Sequence, residues 1–204
     1  MSFHLGATLM FVIVTTFTPG PNNLLSASMG VAYGYRRAFP FLAGVTTGFL
    51  IVMTLSAALS TSLVIWLPAA SSILKYVGAA YILYLAAGVY RRSSTLLTPD
   101  GDGQRPSFWK GLLLQFVNPK GCFYGLTIYT TFLAPLLDRP VVLVASPVLL
   151  SAVTFTAIST WSLGGHMIRT WISTPARARI LGAGLALALV YTALDVSGVF
   201  ARGG

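Results

Sequence analysis

Apolar runs of membrane-spanning length alternate with short polar clusters along the whole chain, and their lengths predict six helical spans. The runs cover about Phe3–Tyr33, Phe39–Trp66, Ile73–Tyr90, Phe108–Leu133, Val141–Gly164 and Ile180–Phe200. The one sizeable polar linker, rich in Gly, Pro, Ser and charge, lies at Arg91–Lys110 and divides the chain into two halves of three runs. Two runs are interrupted internally: the first by Thr18-Pro19-Gly20-Pro21-Asn22-Asn23, the fourth by Asn118-Pro119-Lys120-Gly121. The interruptions fall at corresponding places in the two halves.

Proline has no amide hydrogen and clashes with the carbonyl four residues earlier. Pro19, Pro21 and Pro119 are therefore expected to free the carbonyls of Thr15, Phe17 and Gln115. Helices should restart near Leu24 and Gly121, with first-turn amides lacking intrahelical partners. Asn118 is a natural N-cap with Pro119 at the first helical position, and Asn22 or Asn23 can cap the restarted first helix. In hydrocarbon such orphan groups are costly, so broken backbone survives only inside protein or along a wet cavity. Helix N-termini favour a carboxylate and freed carbonyls accept from an ammonium, which suits a small amino acid. A lone Pro or Gly in a membrane helix is most simply a kink. Two dense breaks in matching positions, one holding a lysine, favour a transporter site. An odd number of spans per half makes the second half inverted relative to the first.

Composition agrees with this reading. Of 204 residues, 55% are hydrophobic and 8% charged, against roughly 25% charged in soluble domains. The expected organisation is one transmembrane transporter domain, 1–204: a first three-helix repeat at 1–90, a cytoplasmic linker at 91–107 and a second repeat at 108–204. The formal net charge of +9 does not indicate nucleic acid, because the cations cluster between apolar runs. Nine of them (Arg36, Arg37, Arg91, Arg92, Arg105, Lys110, Arg169, Arg177 and Arg179) fall in odd-numbered linkers. Lys75, Arg139 and Arg202 fall on the other side, which puts the odd linkers in the cytoplasm and both termini outside. The N-terminus lacks a basic leader and reads as an uncleaved first span.

TPGPNN at 18–23, Gly34, Arg36 and Arg37, AGVTTGFLIVM at 43–53, LKYVGAAYILYLA at 74–86 and FWKGLLLQFVNPKG at 108–121 together resemble the lysine and homoserine/threonine exporter family over essentially the whole chain. The double asparagine, GFLIVM and QFVN at 115–118 are most similar to its cysteine and O-acetylserine branch. The resemblance implies a six-span bacterial inner-membrane exporter of small amino acids, driven by the proton gradient. Homoserine, threonine and lysine stand as alternative substrates. Many relatives carry Asp where this chain has Asn22.

The expected substrate-binding set is Pro19, Gly20, Pro21, Asn22, Asn23, Gln115, Asn118, Pro119 and Lys120. Outside the linkers the spans hold two fixed charges, Lys120 and Asp195, and intramembrane charges point to function. Lys120 can meet a substrate carboxylate, pair with Asp195 or cap broken backbone. Asp195 is the candidate for proton coupling, its alternative being a solvated interfacial carboxylate. Gln115 shares a helix face with Asn118 and can bind a guest or another helix. Gly44 and Gly48 have the spacing of close helix packing; Ser26, Ser28 and Gly30 make a small-residue surface; Tyr81 and Tyr84 read mainly as packing. The sequence offers no metal-ligand spacing, nucleotide loop, carboxylate dyad or second cysteine beside Cys122. We therefore expect no enzyme activity, no cofactor, and as partners only the substrate, protons and lipid, with homo-oligomerisation left open.

Overall fold

The structure is a computed structural model that describes residues 5–59, 76–77, 79–80, 82–91, 106–171 and 174–197. Among them every regular element is helical. Leu5–Phe17 (α1) and Pro21–Tyr33 (α2) are followed by Tyr35–Ala58 (α3) and Ile82–Arg91 (α4). The second half contains Phe108–Val117 (α5), Pro119–Thr127 (α6), a π-helical turn Ile128–Phe132, a 3-10 turn Ala134–Leu136, Pro140–Trp171 (α7) and Pro175–Ser197 (α8).

The first and fourth predicted runs are each two helices end to end rather than one kinked rod. In the fourth run the helix restarts at Pro119 with Asn118 as its cap, as the cap pattern predicts, whereas α2 begins at Pro21, earlier than the expected Leu24, because proline is preorganised for the first helical position. Asn118 caps α6, its Oδ1 accepting from the Lys120 amide at 3.1 Å. The cap of α2 is not an asparagine but Gly20, in extended conformation. The fifth and sixth runs are longer as helices than their hydropathy suggests, since Arg169, Arg177 and Arg179 ride on helix ends rather than in a loop. Thr174 starts α8 just before Pro175, accepting from the Arg177 amide through Oγ1 at 3.4 Å. Among the described residues three helices are long and apolar enough to cross a membrane: Tyr35–Ala58, Pro140–Arg169 and Ala176–Leu194. Leu5–Phe17, Ile82–Arg91 and Phe108–Val117 are shorter apolar helices. Residues 60–66 at the end of the second run, 73–75, Tyr81 and most of the 91–107 linker lie outside the described residues.

The packing is that of a bundle in lipid. Large apolar side chains point outward, as on α1 (Leu5, Leu9, Ile13) and α7 (Val141, Val144, Val148) at helical spacing, while Thr8, Ser26, Ser28, Ser56, Ser151 and Ser162 are buried. Helices without a hydrophobic drive to associate approach through small residues, and here the backbones meet at glycines. A Cβ on Gly30 would lie 2.0 Å from the Ser162 carbonyl oxygen, and one on Gly165 2.2 Å from that of Ala27, so α2 and α7 touch directly. Gly44 and Gly111 do the same for α3 and α5, at 1.9 Å from the Phe108 and 2.2 Å from the Phe41 carbonyl oxygens. Gly34 turns α2 into α3 with φ 77°, a backbone conformation open to glycine, and lies against His166 and Arg169 of α7. The ends of the chain segments that carry Arg36, Arg37, Lys110 and Arg169 thus gather at one end of the bundle.

Candidate functional site

The two breaks meet. Asn118 Nδ2 donates to Asn22 Oδ1 at 3.0 Å across 96 positions of sequence. Lys120 reaches from the first turn of α6 to the other break, its Nζ donating to the Thr18 carbonyl at 3.2 Å. A Cβ on Gly20 would stand 3.1 Å from that same ammonium, so the glycine leaves room for the lysine to cross.

The freed carbonyls are those the prolines dictate, and each has found a donor in the protein. The Phe17 carbonyl accepts from Trp161 Nε1 at 3.2 Å, that of Thr15 from Thr18 Oγ1 at 3.3 Å, and that of Gln115 from the Asn118 amide at 3.4 Å. Thr18 Oγ1 also donates to the Val14 carbonyl. Asn23, rather than capping α2, turns back over the break and donates through Nδ2 to the carbonyls of Thr16 at 2.9 Å and Thr18 at 2.8 Å. Asn23 and Asn118 are buried, as orphan-satisfying groups must be.

Between the breaks lies a cavity of about 40 Å³, room for about three waters. The breaks contribute Gly20, Pro21, Asn22, Asn23, Asn118 and Lys120 to its wall. Three other expected residues do not line it. Pro19 is exposed at the outer edge of the break, and Pro119 is buried beneath the start of α6. Gln115 is wholly buried one layer back, between Gly48 of α3 and Gly121 of α6, with neither amide atom hydrogen-bonded. Asp195 belongs to the C-terminal end of α8, none of whose described side chains reaches the cavity; the Asp195 side chain lies outside the described residues.

The remaining wall comes from residues outside the expected binding set: Thr15 and Thr16 of α1, Phe49 of α3, Gly121 and Tyr124 of α6, and Thr154 of α7. Tyr124 is one turn beyond Lys120, on the same face of α6. Its ring lies among Phe11, centroids 5.5 Å apart, and Phe49, 5.6 Å apart. The Thr154 hydroxyl is buried and has no hydrogen-bond partner, and the buried Tyr124 hydroxyl makes no well-formed hydrogen bond. The cavity thus carries one cation, helix-terminal amides, carbonyl oxygens, free hydroxyls and an aromatic side, with no carboxylate among its described lining residues. Among the described residues no cluster of His, Cys, Asp or Glu is placed to hold a metal.

Comparison with known proteins adds an independent line. Residues 13–197 match the family of LysE type translocators. The chain is 38% identical over 193 residues to the cysteine/O-acetylserine efflux protein of Escherichia coli strain K12, covering 94% of this chain and 96% of that protein. The proteins of the same name from Shigella sonnei strain Ss046 and Shigella flexneri show the same identity and coverage. No solved structure matches the chain.

Proposed function

The chain belongs to the LysE type translocator family, and from that premise we propose that it exports small neutral amino acids of the cysteine and O-acetylserine type through the cavity between its two broken helices. The observation that carries the reading is the pairing of the breaks, Asn118 with Asn22 and Lys120 with the Thr18 carbonyl, around one polar cavity in an apolar bundle. A substrate carboxylate takes the Lys120 ammonium and the first-turn amides of α2, where the helix dipole adds to the attraction. The α-ammonium lies on the Thr16 carbonyl oxygen of the α1 break, which accepts from Asn23 Nδ2 and keeps a second lone pair.

The order broken helix, long helix, further helix occurs twice, as α1–α2, α3, α4 and as α5–α6, α7, α8. This order supports six spans in two inverted repeats, 1–90 and 108–204, within one domain. The positive-inside bias supports an inner-membrane orientation with both termini outside. In that orientation the glycine contacts at Gly30, Gly165, Gly44 and Gly111 hold α2 to α7 and α3 to α5 in the cytoplasmic half, and export proceeds as one repeat rocks against the other. Proton coupling is assigned to Asp195, the intramembrane carboxylate of the sequence.

The test is efflux from cells preloaded with labelled cysteine, O-acetylserine, threonine, homoserine and lysine, with and without a protonophore. Export of the first two that the protonophore abolishes is the expected result. Faster export of lysine than of either would overturn the substrate assignment.

A further inference from the structure

A buried hydroxyl without a good hydrogen bond is destabilising, and two of them face the same small cavity. Thr154 is 4% exposed and Tyr124 5%, and both line the space that Lys120 enters; the Thr154 oxygen has no partner, and the Tyr124 oxygen makes no well-formed hydrogen bond, having only the Thr16 side chain of the same wall beside it. They come from different helices, α7 and α6, and the polar side chains that the breaks contribute to the cavity wall are by contrast engaged: Asn22, Asn23, Asn118 and Lys120 all make hydrogen bonds. In the empty protein, waters can satisfy the two hydroxyls, since the cavity of about 40 Å³ admits a few.

From this arrangement we infer that Tyr124 and Thr154 form the subsite for the substrate's side chain, reading an oxygen or sulfur on its β-carbon. The inference rests on the function proposed above and names the residues that set its specificity. Lys120 and Tyr124 are four positions apart on α6 and so are separated by about 6 Å along the helix. A carboxylate held at Lys120 therefore brings the rest of a small amino acid towards the Tyr124 hydroxyl. The neighbouring rings suit sulfur in particular: Phe49 and Tyr124 flank the position with centroids 5.6 Å apart, and sulfur at a ring edge is favourable. An apolar side chain of equal size would displace water without replacing its hydrogen bonds, leaving both hydroxyls orphaned. A side-chain ammonium would meet Lys120 and no carboxylate among the described lining residues, which selects against dibasic amino acids.

Cysteine and 2-aminobutyrate differ only by a thiol in place of a methyl group, so their competition isolates the subsite. Efflux of the labelled pair, kept under reductant, is measured for the wild-type chain, Tyr124→Phe, Thr154→Val and the double variant. These replacements keep ring and branch volume and remove only the hydroxyls. The wild type is expected to prefer cysteine, and each single variant to lower that preference about tenfold while still exporting 2-aminobutyrate. An unchanged ratio in variants that export both compounds would overturn the subsite and leave the exporter reading intact. A wild type that exports neither would overturn both. If the double variant does not accumulate in the membrane, the ratio in Thr154→Val alone decides, because a purely structural threonine would change total efflux and not the preference.

Discussion

Asn118 does two jobs with the two ends of one amide. Its oxygen caps α6 and its nitrogen holds Asn22, so Asn118→Ala removes both the cap and the tie between the breaks. The lost cap is expected to cost about 1 kcal/mol, visible as a lower unfolding temperature in detergent, and efflux at matched membrane levels should be abolished. Stability loss with efflux retained would make the tie structural only. Trp161→Phe should strand the Phe17 carbonyl that the indole satisfies, with about 1–3 kcal/mol of destabilisation and a smaller effect on export. These residues differ in how far sequence reveals them. Proline chemistry names the freed carbonyls and the Asn118 cap. It does not say which donor will answer, so Trp161 and the backward turn of Asn23 come only with the fold. Thr154 is hidden for another reason. Thr46, Thr54, Thr156, Thr160 and Thr192 each donate to the carbonyl four residues back on their own helix, a local bond available to any helical threonine. A threonine left unpaired and aimed at a cavity looks the same in the chain as its neighbours.

At the scale of helices, the closest approaches decide what can move. Gly44 was legible as a packing residue from its spacing to Gly48, whereas its counterpart Gly111, and the pair of Gly30 with Gly165, depend on which helices become neighbours. Ala at Gly44 would place a methyl group 1.9 Å from the Phe108 carbonyl oxygen, and at Gly30 2.0 Å from that of Ser162. Backbone cannot swing aside as a side chain does, so Gly44→Ala and Gly30→Ala must each push a pair of helices apart. About 1–3 kcal/mol of destabilisation is expected for each, read as a fall in unfolding temperature. Gly164→Ala, one position from Gly165 but with nothing within 4 Å of the added Cβ, is the control and should be neutral or slightly stabilising. Equal losses at Gly164 and Gly30 would mean that helix propensity, not close contact, sets the result.

Across the whole molecule the two halves of the bundle are not equivalent. At the end that gathers Arg36, Arg37, Lys110 and Arg169, four glycines bring α2 onto α7 and α3 onto α5, beside a second cavity of about 190 Å³ between α2 and α4, whereas on the α1 side of the first cavity Thr18 and Pro19 are exposed. In the orientation proposed above, with the cationic end in the cytoplasm, the first cavity is expected to be reached from outside. Access to a cysteine placed in the wall tests both orientation and state. Thr15 lines the cavity and is half-buried, so Thr15→Cys combined with Cys122→Ser offers one reporter thiol. The reagent should be small, membrane-impermeant and anionic, such as 2-sulfonatoethyl methanethiosulfonate, because Lys120 attracts it into the cavity. Rapid modification in right-side-out vesicles, slowed by added O-acetylserine, which has no thiol to consume the reagent, and by Lys120→Met, is the expected outcome. Inverted vesicles should react more slowly, since the reagent would have to pass the glycine contacts. Faster reaction in inverted vesicles would reverse either the orientation or the resting state, and a reporter at the chain's C-terminus then tells which: exposure outside keeps the orientation and moves the open side inwards, and exposure inside reverses the charge-based topology.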